Sequence, residues 1–201
     1  MIWKGTVLVP GHDCINTLPN FIDNDGKLKH STKDTDMYNN LCDGATDDGI
    51  SLDGTGVNIR VWGNTILKAM NGVSIAPIVI GPTYIFRNVF AEPEGHWTNS
   101  CGWVKGGEDG IGNTYFYHNT VVFDNLVAEG TENGIDCPFA LGYGFSSGGG
   151  KESINVFSLN NIIDFDGVIT NNQGTEPTMD YDLLYNSQAN GMRTRWARWG
   201  G

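Results

Sequence analysis

One phrase in this chain recurs, and the recurrence limits what it can fold into. Asp48-Gly49-Ile50-Ser51-Leu52 returns as Asn71-Gly72-Val73-Ser74-Ile75, 23 residues later. Val61-Trp62-Gly63-Asn64-Thr65-Ile66 returns as Ile85-Phe86-Arg87-Asn88-Val89-Phe90, 24 residues later. A period in the low twenties, with alternating β-branched residues and Gly or Asn at fixed offsets, predicts a solenoid of strands.

The register extends in both directions. The Asn-centred phrase also occurs around Asn40, Asn119 and Asn161, and more loosely as Leu183-Leu184-Tyr185-Asn186. These six asparagines are spaced 24, 24, 31, 42 and 25 residues apart, so three intervals are near one period and two carry insertions. The Gly phrase returns as Asn133-Gly134-Ile135 and Asp166-Gly167-Val168. Two interleaved phrases in constant order predict an all-β parallel β-helix of about six coils with inserted loops. One coil cannot bury its apolar face alone; stacking on the next makes a continuous core. Asn tolerates a left-handed backbone and suits the bend between strands, and one Asn per coil predicts an internal amide ladder. Gly in the second phrase is expected to make another bend.

The phrases DDGISLDG…VNIRVWGNTI, NGVSIAP…TYIFRNVF and TYFYHNTVV resemble secreted right-handed parallel β-helix proteins of the pectate-lyase-like superfamily, over roughly residues 36–190. The resemblance implies a right-handed coil and an extracellular or periplasmic location. It also implies action on polysaccharide, by a lyase, a hydrolase, an epimerase or a protein without catalysis.

Charge narrows the partners. A net charge of −11 argues against nucleic acid and anionic membrane surfaces, which call for basic patches. An acidic protein takes an acidic polysaccharide only through a local basic cleft or a bridging cation. No stretch approaches a transmembrane span. Cys14, Cys42, Cys101 and Cys137 lack zinc-ligand spacing. Their even number fits two disulfides, but small buried residues fit as well, and Cys42 shares a column with Ile66, Phe90 and Val121. The 201 residues fit one domain: an irregular segment over 1–35, coils over 36–190 and a tail over 191–201 without β-pattern. The N-terminal residues do not read as a signal peptide, which fits either a secreted protein that has lost one or a piece of a longer chain. An uncapped solenoid exposes strand edges, which invites end-to-end self-association.

Alignment on Asn gives columns stacked about 4.8 Å apart. Three positions before it, Met37, Val61, Ile85, Phe116, Ser158 and Leu183 are expected inside. By alternation Tyr38, Trp62, Phe86, Tyr117, Leu159 and Leu184 point out, with Arg60, Tyr84, Tyr115 and Phe157 beside them. This aromatic stripe is the candidate substrate-binding surface, with ordinary packing as the alternative. One position before Asn, Arg87 and His118 fall on successive coils, as an acid/base pair or a plain surface pair. Lys105 lies in the first insertion and is a candidate base for β-elimination, with His96 in the same loop. Asp43, Asp47, Asp48 and Asp53 are dense enough among Gly turns to hold calcium, or to serve as turn formers.

The resemblance favours a lyase cleaving uronate linkages by β-elimination. Calcium, the expected cofactor, or Arg87 would neutralise the substrate carboxylate, and Lys105 or His118 would take the proton. A non-catalytic carbohydrate-binding, adhesive or fibre-forming module is the alternative. A glycoside hydrolase comes third, because the GHG and RxK elements of the superfamily's hydrolases are missing.

Overall fold

A computed structural model of the chain describes residues 2–4, 13–17, 32–92, 102–106, 111–123, 155–165, 178–185 and 195–197. These hold eighteen strands and no helix. They are β1 (Ile2–Lys4), β2 (Ile15–Asn16), β3 (Lys33–Tyr38), β4 (Leu41–Asp43), β5 (Asp48–Ser51), β6 (Val57–Trp62), β7 (Thr65–Leu67), β8 (Asn71–Ile75) and β9 (Thr83–Phe86). Then follow β10 (Val89–Ala91), β11 (Gly102–Gly106), β12 (Thr114–Tyr117), β13 (Thr120–Phe123), β14 (Val156–Leu159), β15 (Ile162–Phe165), β16 (Thr178–Asp180), β17 (Asp182–Tyr185) and β18 (Arg195–Ala197).

The strands form three sheets, and the chain visits them in rotation. Sheet 1 has the order β3-β6-β9-β12-β14-β16, sheet 2 runs β1-β4-β7-β10-β13-β15-β17-β18, and sheet 3 runs β2-β5-β8-β11. Every pairing is parallel except β17 with β18. The architecture is a parallel β-helix. No helix among the described residues is long and apolar enough to cross a membrane.

The asparagines 40, 64, 88, 119 and 161 lie in one file. Asn64 Nδ2 donates to Asn88 Oδ1 at 2.9 Å, Asn88 Nδ2 to Asn119 Oδ1 at 3.1 Å, and Asn119 Nδ2 to Asn161 Oδ1 at 3.0 Å. Each amide also donates to a carbonyl of the preceding coil, as Asn88 Nδ2 does to Val61 O at 3.0 Å. The bend itself is made one position earlier than expected. Asn39, Gly63, Arg87, His118, Asn160 and Tyr181 have φ between +54° and +64°. The ladder Asn satisfies the buried backbone beside the bend, and the left-handed residue is its predecessor.

The last coil also differs from the expected alignment. Asp182, not Asn186, accepts from Asn161 N at 2.7 Å and Asn161 Nδ2 at 2.9 Å. Met179 therefore fills the column assigned to Leu183, in register with Ser158. Leu184, expected outside, is buried in sheet 2 opposite Ile163. The Asn of each earlier coil is replaced here by Asp182, after Tyr181, and Asn186 lies outside the described residues.

The solenoid also extends past both expected ends. Before residue 36, β1 pairs with β4 and β2 with β5. In the C-terminal tail, β18 covers the β17 edge antiparallel.

Inside, Val61, Ile85 and Phe116 face the sheet 2 column Cys42, Ile66, Phe90, Val121 and Ile163, all buried. From sheet 3, Trp103 packs on Phe90 and Phe116, with ring centroids 5.3 and 5.2 Å apart. Burying each such side chain contributes about 1.5–3 kcal/mol. Gly49 and Gly72 of the second phrase serve this core and do not make a bend, while Gly134 and Gly167 lie outside the described residues. A Cβ on Gly72 would lie 2.4 Å from Phe90 Cδ1, and one on Gly49 would lie 2.4 Å from Ile66 Cγ2. Both sit in strands whose inner side is already full.

Candidate functional site: the acidic cluster on sheet 3

The centre of sheet 3 is buried, for every residue of β5 and β8 is buried. Polar side chains in such a place need partners, and they find them in one another. Asp48, whose side chain is 3% exposed, accepts from Asn71 Nδ2 at 2.9 Å and from Lys105 Nζ at 3.1 Å. Lys105 also lies 3.7 Å from Asp47 Oδ1. Asp53 accepts from Ser74 Oγ and from the Ala76 N–H, both at 2.6 Å. The repeat explains the assembly: Asp48 and Asn71 are register partners on adjacent coils, and so are Ser74 and Lys105.

A fourth carboxylate arrives from the N-terminal segment. Asp13 Oδ1 accepts the Asp48 N–H at 3.1 Å, and its Oδ2 accepts from Asn16 Nδ2 at 2.6 Å. Strand β2 lies against β5 with Ile15 opposite Ile50, and a Cys14–Cys42 disulfide ties it across to sheet 2. One carboxylate oxygen from each of Asp13, Asp47 and Asp48 lies within 4.8 Å of the other two. No repeat or spacing marks Asp13 in the sequence. Only the pairing of β2 brings it in.

Burial pushes the Asp48 carboxyl up to about 7; Lys105 opposes this, while Asp47, Asp53 and Asp13 add to it. Burial likewise raises Asp13, against its hydrogen bond from the Asp48 backbone, and raises Asp53, against the donors Ser74 and Ala76. For Lys105, burial works against the charge, but Asp48 and Asp47 outweigh it and the pKa rises. The cluster thus holds protons more readily than exposed carboxylates do.

The donor chemistry fits calcium. Oxygens held 2.3–2.6 Å from one ion are at most about 5 Å apart, which the Asp13–Asp47–Asp48 set meets. Of the four aspartates expected to bind metal, Asp47 and Asp48 belong to this set. Asp43 lies in β4 on sheet 2, in register with Leu67, and Asp53 is engaged by Ser74 and Ala76.

Arg87 and His118 are exposed at the bend between sheets 1 and 2. Lys105, Asp47 and Asp48 belong to sheet 3 and the turn leading into it. The coil thus separates the candidate base from the candidate acid/base pair. His96, Cys101 and Cys137 lie outside the described residues.

The aromatic columns do point outward on sheet 1, whose strands alternate buried and part-exposed. Tyr38, Trp62, Phe86 and Tyr117 form one file, with successive centroids 4.5, 6.2 and 4.9 Å apart and planes within 12° of parallel. Tyr84, Tyr115 and Phe157 form a second, at 5.4 and 5.1 Å. Rings this close and this parallel stack face on face along the solenoid axis, so they turn edges and hydroxyls outward. Arg60 is held by Asp36 through Nε at 2.7 Å and Nη2 at 2.8 Å, and Trp62 Nε1 donates to the same carboxylate at 3.3 Å. Comparison with protein-family models, curated proteins and solved structures finds no match for this chain.

Proposed function

We propose that this chain is a polysaccharide-active β-helix of the pectate-lyase-like kind, working outside the cytoplasm, and that it cleaves uronate linkages by β-elimination at the sheet 3 cluster. The observation that carries this is Lys105 Nζ set 3.1 Å from Asp48 in a site where three carboxylates converge. The Cys14–Cys42 disulfide supports an oxidising compartment.

Elimination removes the proton from the ring carbon that bears the uronate carboxylate, a double bond forms to the adjacent ring carbon, and the glycosidic oxygen on that carbon leaves, taking a proton from water. Bound at Asp13, Asp47 and Asp48, calcium would supply neutralisation of the substrate carboxylate. Lys105, 29% exposed, is the proton acceptor. While Asp47 and Asp48 face it, Lys105 keeps its proton; with those carboxylates engaged elsewhere, it yields a free amine more easily. Asp53, fixed by two donors, adds to the negative field without competing for a ligand position.

The test is ultraviolet absorbance of unsaturated product from polygalacturonate, alginate and glycosaminoglycan, with and without calcium. Turnover should require calcium and vanish in Lys105→Met. Absence of unsaturated product from all three substrates overturns the proposal.

The outer face of sheet 1 favours an alternative, a carbohydrate-binding module without catalysis. Its two aromatic files present the hydroxyls of Tyr38, Tyr84, Tyr115 and Tyr117 along a rigid surface, with Tyr38 half exposed. Glycan retention on affinity gels without turnover, lost on Tyr84→Ala with Tyr115→Ala, would support it.

A further inference from the structure

The cluster is built from two unequal parts. Asp47, Asp48 and Lys105 belong to coils locked by parallel pairing with their neighbours. Asp13 stands two positions before β2, a strand of two residues at the edge of sheet 3. Backbone bonds from Cys14 N to Asp48 O and from Thr17 N to Ser51 O, each 3.1 Å, hold β2 to β5. The Thr17 hydroxyl adds a donation to Ser51 O at 3.3 Å, and the Thr32 hydroxyl donates to Thr17 O at 3.0 Å. An edge strand so short has little stability of its own, and local opening begins at such places. What fastens it covalently is the Cys14–Cys42 disulfide. The two ends of that bond differ: Cys42 is wholly buried in the core column, whereas Cys14 is partly exposed.

We propose that the Cys14–Cys42 disulfide is a redox latch on the acidic site. Closed, it keeps the N-terminal strap down and delivers Asp13; reduced, it lets the strap lift, and the triad loses its third carboxylate. The consequence for cation binding rests on the proposed role of Asp13, Asp47 and Asp48 as ligands. An external dithiol supplies the two electrons and two protons. The S–S bond breaks, thiols form on Cys14 and Cys42, and the dithiol closes to its own disulfide. The asparagine file lies at the bend between sheets 1 and 2 and needs no contact with β2, so the coils stay folded when the strap leaves.

The test uses the full chain, oxidised and dithiothreitol-reduced, with two readouts. One is affinity for calcium alone by calorimetry, and the other is amide hydrogen exchange by NMR. Reduction should weaken calcium binding by about tenfold or more, since affinity follows the number of ligand charges. It should also expose the Asp48 amide to exchange, while the Asn64 and Asn88 amides keep their protection. Asp13→Asn in the oxidised protein should reproduce the affinity loss yet leave the Asp48 amide protected, because an amide oxygen still accepts it. Cys14→Ser provides the open state without reductant. Unchanged Asp48 exchange on reduction overturns the latch. Loss of protection at Asn64 and Asn88 overturns it too, for the disulfide would then be a strut of the whole coil. Opening at Asp48 in a protein that takes up no calcium when oxidised upholds the latch and overturns the cation site.

Discussion

The asparagine file has a direction, and this makes one substitution costly and its mirror image mild. Each side-chain amide donates to the next coil and accepts from the previous one. Asn88 in the middle does both: Nδ2 donates to Val61 O and Asn119 Oδ1, and Oδ1 accepts from Asn64 N and Asn64 Nδ2. Asn88→Asp keeps the accepting oxygen but sets a second one against two acceptors in a buried site. Two hydrogen bonds at about 1 kcal/mol each are lost, and a buried carboxylate whose second oxygen has no donor adds more, for a total of about 3–5 kcal/mol at neutral pH. A protonated Asp regains one donor, so part of the loss returns in acid. At the end of the file only acceptance is needed, and there the chain already carries Asp182, whose Oδ2 also takes the Ser158 hydroxyl at 2.7 Å. Asp182→Asn keeps Oδ1 for Asn161, and the Ser158 hydroxyl can turn to accept, so the cost should stay within about 1 kcal/mol. Urea unfolding at neutral pH measures both. Equal losses for the two variants would refute the polarity of the ladder.

Three other outcomes follow from the same coordinates. Gly72→Ala forces a methyl against Phe90 and the Trp103 carbonyl and should cost about 1–3 kcal/mol by urea unfolding, with Phe90→Leu in the same chain restoring part of it. Asp48, Asp13 and Asp53 have raised pKa values, so their contribution to stability is full below about pH 4 and is lost as pH climbs through about 7, where Asp48 deprotonates. Melting temperature in chelator should therefore fall from pH 5 to pH 8, calcium should restore more at pH 8, and Lys105→Met should move the change upward in pH; a flat profile would contradict the buried placement. Cys14→Ser opens a loop of 28 residues, worth about 3.6 kcal/mol of chain entropy in the unfolded state, and denaturant unfolding of the variant checks it.

The repeat was enough to determine the parallel β-helix, the file of asparagines and the outward set of aromatics. Those features depend on period and alternation, which stacking converts directly into neighbours one strand apart. Three things were left to the tertiary structure. The bend falls on the residue before each Asn, and Arg87, His118 and Tyr181 take the left-handed backbone there as Asn39, Gly63 and Asn160 do, so residue type does not mark it. The final coil uses Asp182, because a terminal rung needs only an acceptor, and a chemical equivalent breaks the written repeat. The acidic cluster draws Asp13 from a segment outside the period, joined by one disulfide and a two-residue strand. Contacts between elements that share no repeat are fixed by how surfaces meet in space, and sequence spacing carries no record of that.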